Sequence, residues 1–133
     1  MAGSEIMSTA MTNGIEVSVK SQYIPERSSL SSRQYAFAYT VRISNQGRAT
    51  ARLESRHWII TDGAGHIEEV RGPGVVGVQP RLRPGESFEY TSWCVLATPS
   101  GEMRGTYQMV TDEGGAFDAD IAPFRLSLPQ SLN

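Results

Sequence analysis

The most regular pattern of apolar and polar residues in the chain runs from Tyr35 to Ser44. Its alternate apolar positions are Tyr35, Phe37, Tyr39, Val41 and Ile43. Successive side chains of a β-strand point to opposite faces, so a period of two produces one apolar face and one polar face. A helix would need a period of about 3.6 residues, which this stretch lacks. We therefore expect a long, half-buried β-strand here.

Further stretches of strand-like pattern follow one another along the rest of the chain. They lie at 15–20, 49–62, 66–71, 86–95, 103–109 and 117–128. Turn-forming residues such as Gly, Pro, Asn and Asp separate them, and no stretch has the period of an amphipathic helix. About seven strands joined by turns predict an all-β domain. Their lengths and spacing favour an immunoglobulin/fibronectin type III-like β-sandwich over a barrel.

The same pattern predicts how the chain is divided. Residues 1–13 are small and polar and show no period, so we expect them to form a disordered leader. Residues 14–133 are enough for one domain with a single core. The unbroken apolar run from Trp58 to Ile60 indicates either burial on both faces of its strand or a local bulge.

Charge and composition exclude several classes of function. The chain has 133 residues with 12 basic and 14 acidic side chains, a formal charge of −2, so nothing marks a nucleic-acid-binding protein. Cys94 is the single cysteine, which precludes an intrachain disulfide and fits a reducing compartment, so we expect a cytoplasmic location. No apolar run approaches the ~20 residues that a membrane-spanning helix needs, and we expect no membrane insertion.

The segment RGPGVVGVQP at 71–80 contains the spacing Gly72-x-Gly74-x-x-Gly77. Dinucleotide-binding loops place this spacing between a strand and a helix whose N-terminus faces the pyrophosphate. Here Pro80 would break the first turns of such a helix, and the chain has no βαβ pattern. The sequence therefore argues against a Rossmann-type site.

Three roles remain open for this segment. The glycines allow a tight turn and close backbone packing. Alternatively, backbone N–H groups form an anion-binding nest beside an arginine, or the apolar residues 75–78 act as a strand edge that pairs with another chain. The residues of this anion- or partner-binding loop are Arg71, Gly72, Gly74, Val75, Val76 and Gly77.

Catalysis and metal binding have little support in the sequence. Neither His57 nor His66 has a cysteine or second histidine at a spacing typical of metal ligands. Cys94 shares a strand face with Phe88 and Tyr90, so we expect it to act as a small buried hydrophobic residue. No Gly-x-Ser-x-Gly elbow occurs. We expect no catalytic residue, no metal site, no cofactor and no enzymatic activity.

Several blocks of sequence resemble the ApaG (CorD) family. The blocks are YAFAYTV at 35–41, RHWIITDG at 56–63, GPGVVGVQP at 72–80, PGE at 84–86, GTYQM at 105–109 and PFRL at 123–126. The resemblance implies a fibronectin type III-like sandwich and a genetic link to cobalt tolerance and magnesium efflux. It also implies a pyrophosphate-binding role for the glycine block, carried here by Gly72, Gly74 and Gly77.

The residues and the resemblance together lead to two hypotheses of function. The first is a non-enzymatic protein-interaction module associated with divalent cation (magnesium/cobalt) homeostasis. Its partner would be an unidentified protein or a second copy of the chain, in a homodimer. The second is a small-anion sensor that binds pyrophosphate or a dinucleoside polyphosphate, hence a nucleotide, at the loop from Gly72 to Gly77.

Overall fold

The computed structural model describes residues 6–129 of the chain and contains nine β-strands in that range. The strands are β1 Ile6–Thr12, β2 Ile15–Tyr23, β3 Tyr35–Asn45, β4 Ala51–Asp62, β5 Ile67–Pro73, β6 Arg81–Leu82, β7 Ser87–Leu96, β8 Ser100–Thr111 and β9 Ala116–Ser127. One turn of 3₁₀ helix, Pro25–Arg27, lies between β2 and β3. None of the helices in the described range has the length and apolar character needed to cross a membrane.

The strands form two antiparallel sheets that pack face to face. The first sheet has the order β1-β2-β3-β7, and the second has the order β5-β4-β8-β9, with the short β6 pairing with β4. This arrangement confirms the predicted all-β, immunoglobulin/fibronectin type III-like sandwich. The described part of the chain has two strands more than the expected seven, because it includes β1 and β6.

The prediction of a disordered leader is wrong for residues 6–12. This segment is β1, which pairs with β2 from Ile6 opposite Ser21 to Thr12 opposite Ile15. The turn between them is Asn13-Gly14, with φ of 48° and 81°, as a two-residue hairpin requires. The Asn-Gly pair was the available signal, but β1 itself lacks a clear apolar period. Residues 1–5 lie outside the described part of the chain.

Aromatic side chains from both sheets meet in the core. Tyr39 of β3 contacts Trp58 of β4 with ring centroids 5.3 Å apart, and Phe124 of β9 lies 6.0 Å from Trp58. The hydroxyl groups of Tyr90 on β7 and Tyr107 on β8 are hydrogen-bonded to each other, which joins the two sheets through a polar contact inside an apolar core. The inward face predicted for β3 is confirmed, since its apolar residues from Phe37 to Ile43 are buried.

A bulge in β4 occurs earlier than the sequence indicated. The pairing of β4 with β8 shifts between Leu53 and Ser55, so the extra residue is Glu54 rather than one in the apolar run from Trp58. Trp58 is buried, while the residues that follow it are only partly buried. The bulge matters for the glycine segment, because it turns the carbonyl group of Glu54 toward that segment.

Candidate functional site

The glycine-rich segment after β5 is bound tightly to β4. The carbonyl oxygen of Glu54 accepts hydrogen bonds from the Gly74 N–H group and from Gln79 Nε2, each 2.9 Å long. Arg56 Nη1 donates to the carbonyl oxygens of Pro73 and Gly74, also at 2.9 Å. These bonds fix the course of the backbone from the end of β5 into the next turn.

Gly72 has a local role in the same contact. A Cβ atom at Gly72 would lie 2.9 Å from Arg56 Nη2, inside normal contact distance. The absence of a side chain therefore leaves room for the guanidinium group that holds the segment. This explains the first glycine of the spacing without a bound phosphate.

The rest of the segment is a small hairpin, which we call the valine hairpin (residues 75–78). Val75 and Val78 exchange two backbone hydrogen bonds of 2.8 and 2.9 Å. Val76 and Gly77, the two turn residues, have φ of 41° and 84°, the signs expected for a type I′ turn. Val75 is 1% exposed and belongs to the core, whereas Val76 is 57% and Val78 44% exposed.

This geometry corrects two predictions for the loop. Residues 75–78 are not a free strand edge, because Val75 and Val78 satisfy each other's backbone groups and the side chain of Val75 is buried. The predicted anion nest is not formed across the glycine spacing either, because the N–H groups of Gly74 and Val75 already donate to Glu54 and Val78. The loop instead consists of a buried residue, Val75, and an exposed tip formed by Val76 and Gly77.

Arg71 and Gly72 take part in a different feature, a groove of about 670 Å³ that includes the outer face of the second sheet. The residues that line it are Glu54, Ser55, Arg56, His57, Arg71, Gly72, Pro73, Thr106, Gln108 and Asp118. We call it the polar groove. Of the six loop residues predicted as a site, only Arg71 and Gly72 line it.

Hydrogen bonds fix many of the side chains around the polar groove. His57 Nε2 lies 2.7 Å from Glu69 Oε1, and Arg71 Nη2 lies 3.6 Å from the same oxygen. On the neighbouring strands, Ser55 donates to Gln108 Oε1 at 2.7 Å. The groove therefore offers a partly neutralised arginine and a histidine beside neutral polar groups and the carboxylates of Glu54 and Asp118.

A second hollow of about 390 Å³ adjoins the polar groove and shares His57 and Thr106 with it. Its lining is more apolar and includes Ile59, Gly105 and Pro123. Reasoning from the sequence did not identify either hollow. The only relevant feature of the sequence was the set of polar residues that alternate with apolar ones in β4 and β8. This alternation does not reveal which outward-facing residues of the two strands become neighbours.

The structure offers little reactive chemistry around these features. Burial raises the pKa of the Cys94 thiol to about 11, so the nucleophilic thiolate is scarce at neutral pH. Cys94 is only half-buried, less than the sequence indicated, but it packs against the core and so faces inward as predicted. Within the described residues, no group of three or more His, Cys, Asp or Glu side chains is arranged to hold a metal ion.

The pairing of His57 with Glu69 has a measurable consequence at acid pH. The hydrogen bond from His57 holds the pKa of the Glu69 carboxyl group below its usual value. Because this pKa is lower in the folded state, ionised Glu69 contributes to the free energy of unfolding above the unfolded pKa of about 4.3. This contribution is lost as pH falls through the pKa of Glu69 in the folded state. We expect His57→Phe to raise the Glu69 pKa toward normal in a carboxyl ¹³C NMR titration.

His66→Phe is the matched control for that titration. His66 lies 3.4 Å from Asp62 rather than Glu69, so its replacement should leave the Glu69 midpoint in place. An unchanged Glu69 midpoint in His57→Phe would show that the hydrogen bond does not control this carboxylate in solution.

The architecture defines the class of protein, an antiparallel β-sandwich of the fibronectin type III-like kind that carries a glycine-rich hairpin after the edge strand of one sheet. A family model described as the ApaG domain (DUF525) matches residues 25–111. The chain is 63% identical over 127 residues to Protein ApaG of Anaeromyxobacter dehalogenans strain 2CP-C, which covers 96% of this chain and 100% of that protein. The chain belongs to the ApaG family, as the resemblance predicted.

Two further comparisons agree with this assignment. Protein ApaG of Azotobacter vinelandii is 56% identical over 119 residues, which cover 90% of this chain and 94% of that protein. A crystal structure of the ApaA protein from Bordetella pertussis superposes with a TM-score of 0.86 at 56% identity, and covers 88% of this chain and 95% of that one. The sandwich therefore belongs to a fold already represented by crystal structures.

Proposed function

We propose that the chain is a non-enzymatic protein-interaction module and that the valine hairpin is its contact surface. The observation that carries this proposal is Val76, an exposed β-branched residue with φ of 41°. Asn or Asp normally occupies this position of a type I′ turn, because β-branched residues rarely tolerate positive φ. The single cysteine supports a reducing compartment such as the cytoplasm.

The energetics of the hairpin favour a role in binding. A left-handed backbone conformation costs an ordinary residue about 1–2 kcal/mol, and such strain is concentrated at functional sites. Val76 gains little packing in return, since more than half of its surface is exposed. The tip is also fixed before any encounter, through the bonds that Glu54 and Arg56 make to its base. A fixed apolar tip loses little conformational entropy on binding.

The test replaces the tip without harming its base. Val76→Asn suits the turn and should raise the free energy of unfolding by about 1 kcal/mol, while reducing capture of the partner from cell lysate by the immobilised chain. Ile67→Thr is the control, since Ile67 is an exposed aliphatic residue of β5, 65% exposed, outside the hairpin. Equal capture by the Val76→Asn variant and the parent chain would refute the proposal.

We further propose that this partner connects the chain with magnesium and cobalt homeostasis. The support is the genetic association implied by membership of the ApaG family. A strain that lacks the chain should regain cobalt tolerance from the parent gene and from Ile67→Thr, but not from Val76→Asn. Full complementation by Val76→Asn would separate cation homeostasis from the hairpin.

The alternative function is recognition of a small anion such as pyrophosphate or a dinucleoside polyphosphate. The observation that favours it is the side chain of Arg71, which is 72% exposed and lines the polar groove beside His57. Arginine suits phosphate oxygens because its guanidinium group presents several donors in one plane. Glu69, at 3.6 Å from Arg71, competes for the same donors.

A titration with pyrophosphate distinguishes this alternative from the first proposal. Amide NMR signals of Arg71, Gly72 and His57 should move, and Arg71→Ala should abolish the movement. Arg48→Ala, in an exposed turn away from the groove, should leave it unchanged. No movement at millimolar pyrophosphate would exclude this anion from the groove.

A further inference from the structure

The free edge of β7 is a second feature that the valine hairpin does not explain. Within the described residues, β7 pairs with β3 on one side and with no strand on the other. At one edge of the second sheet, β5 carries two glutamates and an arginine and ends at Pro73. Charge and proline protect an edge from pairing with another chain. By contrast, β7 has one charged residue, Glu89, and no proline.

The direction of the backbone groups of β7 follows from the turn that precedes it. The Gly85 N–H group donates to the carbonyl oxygen of Asn45, and the Asn45 N–H group donates to the carbonyl oxygen of Glu86. Two residues before β7 therefore lie opposite one residue of β3, which is a β-bulge, and its glycine has φ of 90°. Hydrogen-bonded pairs alternate along an antiparallel ladder. The even-numbered residues of β7 therefore bond to β3. The residues whose N–H and C=O groups point to the free edge are Ser87, Glu89, Thr91, Trp93 and Val95.

Apolar side chains lie at one end of this free edge. Trp93 is 48% and Val95 59% exposed, on the outer face of the first sheet. Arg27, from the 3₁₀ turn, places its guanidinium carbon 4.8 Å from the centre of the Trp93 ring. A tryptophan held in this way beside unpaired backbone groups offers both parts of a strand-pairing surface, main-chain bonds and an apolar anchor.

We propose that β7 pairs antiparallel with β7 of a second copy of the chain, with the two-fold axis at Trp93. Each Trp93 then lies opposite Trp93 of the other copy, and Val95 lies opposite Thr91. A two-fold interface uses the same patch on both copies. In this register the odd-numbered residues of the two strands lie opposite each other, and these are the residues whose backbone groups point to the free edge. The first sheets of the two copies would join into one continuous sheet.

The position of Glu89 favours this register over its neighbours. With the axis at Trp93, Glu89 lies opposite position 97, beyond the end of β7, and the carboxylate stays in water. With the axis at Thr91, Glu89 would lie opposite Trp93 and bring a carboxylate against the exposed ring. In the first register, Trp93 lies opposite a tryptophan and Val95 lies opposite a threonine. In the second register, Trp93 lies opposite a carboxylate.

The oligomeric state tests the proposed interface. Light scattering after gel filtration of the full chain should show a dimer that dissociates on dilution, and Trp93→Lys should be monomeric at the same concentrations. Ile67→Lys places the same charge on the edge of the other sheet and should remain dimeric. A parent chain that is monomeric up to millimolar concentration, or a Trp93→Lys variant that dimerises like the parent, would overturn the proposal.

Crosslinking tests the register and uses a variant whose charge is unchanged. With the axis at Trp93, Ser92 faces Cys94 of the other copy in a pair without hydrogen bonds, for which Cα atoms are about 4.5 Å apart. This distance is within the range for a disulfide. Ser92→Cys should form a covalent dimer under prolonged oxidation at alkaline pH, which offsets the scarcity of the Cys94 thiolate, whereas Thr91→Cys should not. Absence of the crosslink in a dimeric, folded Ser92→Cys protein would reject the register.

Discussion

Replacing Gly105 with alanine should cost about 3 kcal/mol of the free energy of unfolding, at the upper end for an overpacked interior site. Gly105 lies in β8 opposite Trp58 of β4. A Cβ atom there would lie 2.0 Å from the carbonyl oxygen of His57 and 3.2 Å from the Cα atom of Trp58. Both are backbone atoms of a central strand, so no side-chain rotation can relieve the overlap.

Urea unfolding followed by far-UV circular dichroism measures this effect. Gly115→Ala is the control, because a Cβ atom there meets only Thr111 Oγ1, at 3.2 Å. We expect the Gly115 variant to unfold near the parent midpoint and the Gly105 variant well below it. Similar midpoints for the two variants would mean that β4 and β8 separate easily at this point, contrary to the close approach described above.

Gly74→Ala should have an effect of similar size, through the base of the valine hairpin. Gly74 has φ of 56°, and a Cβ atom there would lie 2.1 Å from the carbonyl oxygen of Val78. The left-handed conformation alone costs alanine about 1–2 kcal/mol, and the overlap should add about 1–3 kcal/mol. The hairpin must then open, which exposes the buried side chain of Val75.

Gly77→Ala separates these two costs. Gly77 also has a positive φ, 84°, but a Cβ atom there meets nothing within 4 Å. Its replacement should therefore show only the conformational cost of about 1–2 kcal/mol. The difference between the unfolding free energies of the two alanine variants measures the overlap. If both variants lose the same stability, the contact between Gly74 and Val78 contributes nothing.

The fold could be predicted from the sequence because its strands carry their own pattern. In β3, aromatic and β-branched residues alternate with small or polar ones, which defines both the strand and its buried face. The start of the domain was misplaced because β1 has no such period, and its pairing depends on the Asn13-Gly14 turn and on contacts with β9. One such contact is the hydrogen bond from Ser8 to the carbonyl oxygen of Ala122.

The site was harder to predict because it depends on strand register. Ser55 and Gln108 are neighbours only because the bulge at Glu54 shifts the pairing of β4 with β8. The glycine spacing suggested one loop with one role, whereas three physical causes account for its glycines. Gly72 makes room for Arg56, Gly74 lets the chain pass close to Val78, and Gly77 completes the turn.

The hydrogen bond between Tyr90 and Tyr107 has a consequence for behaviour in alkali. Burial raises the pKa of both phenols, and of Tyr39 beside them, above the usual value near 10. A raised pKa in the folded state means that stability is intact below about pH 10 and declines as pH rises through that value. Phenolate absorption from these three residues should therefore appear together as the sheets separate, which makes them an intrinsic optical indicator of core opening.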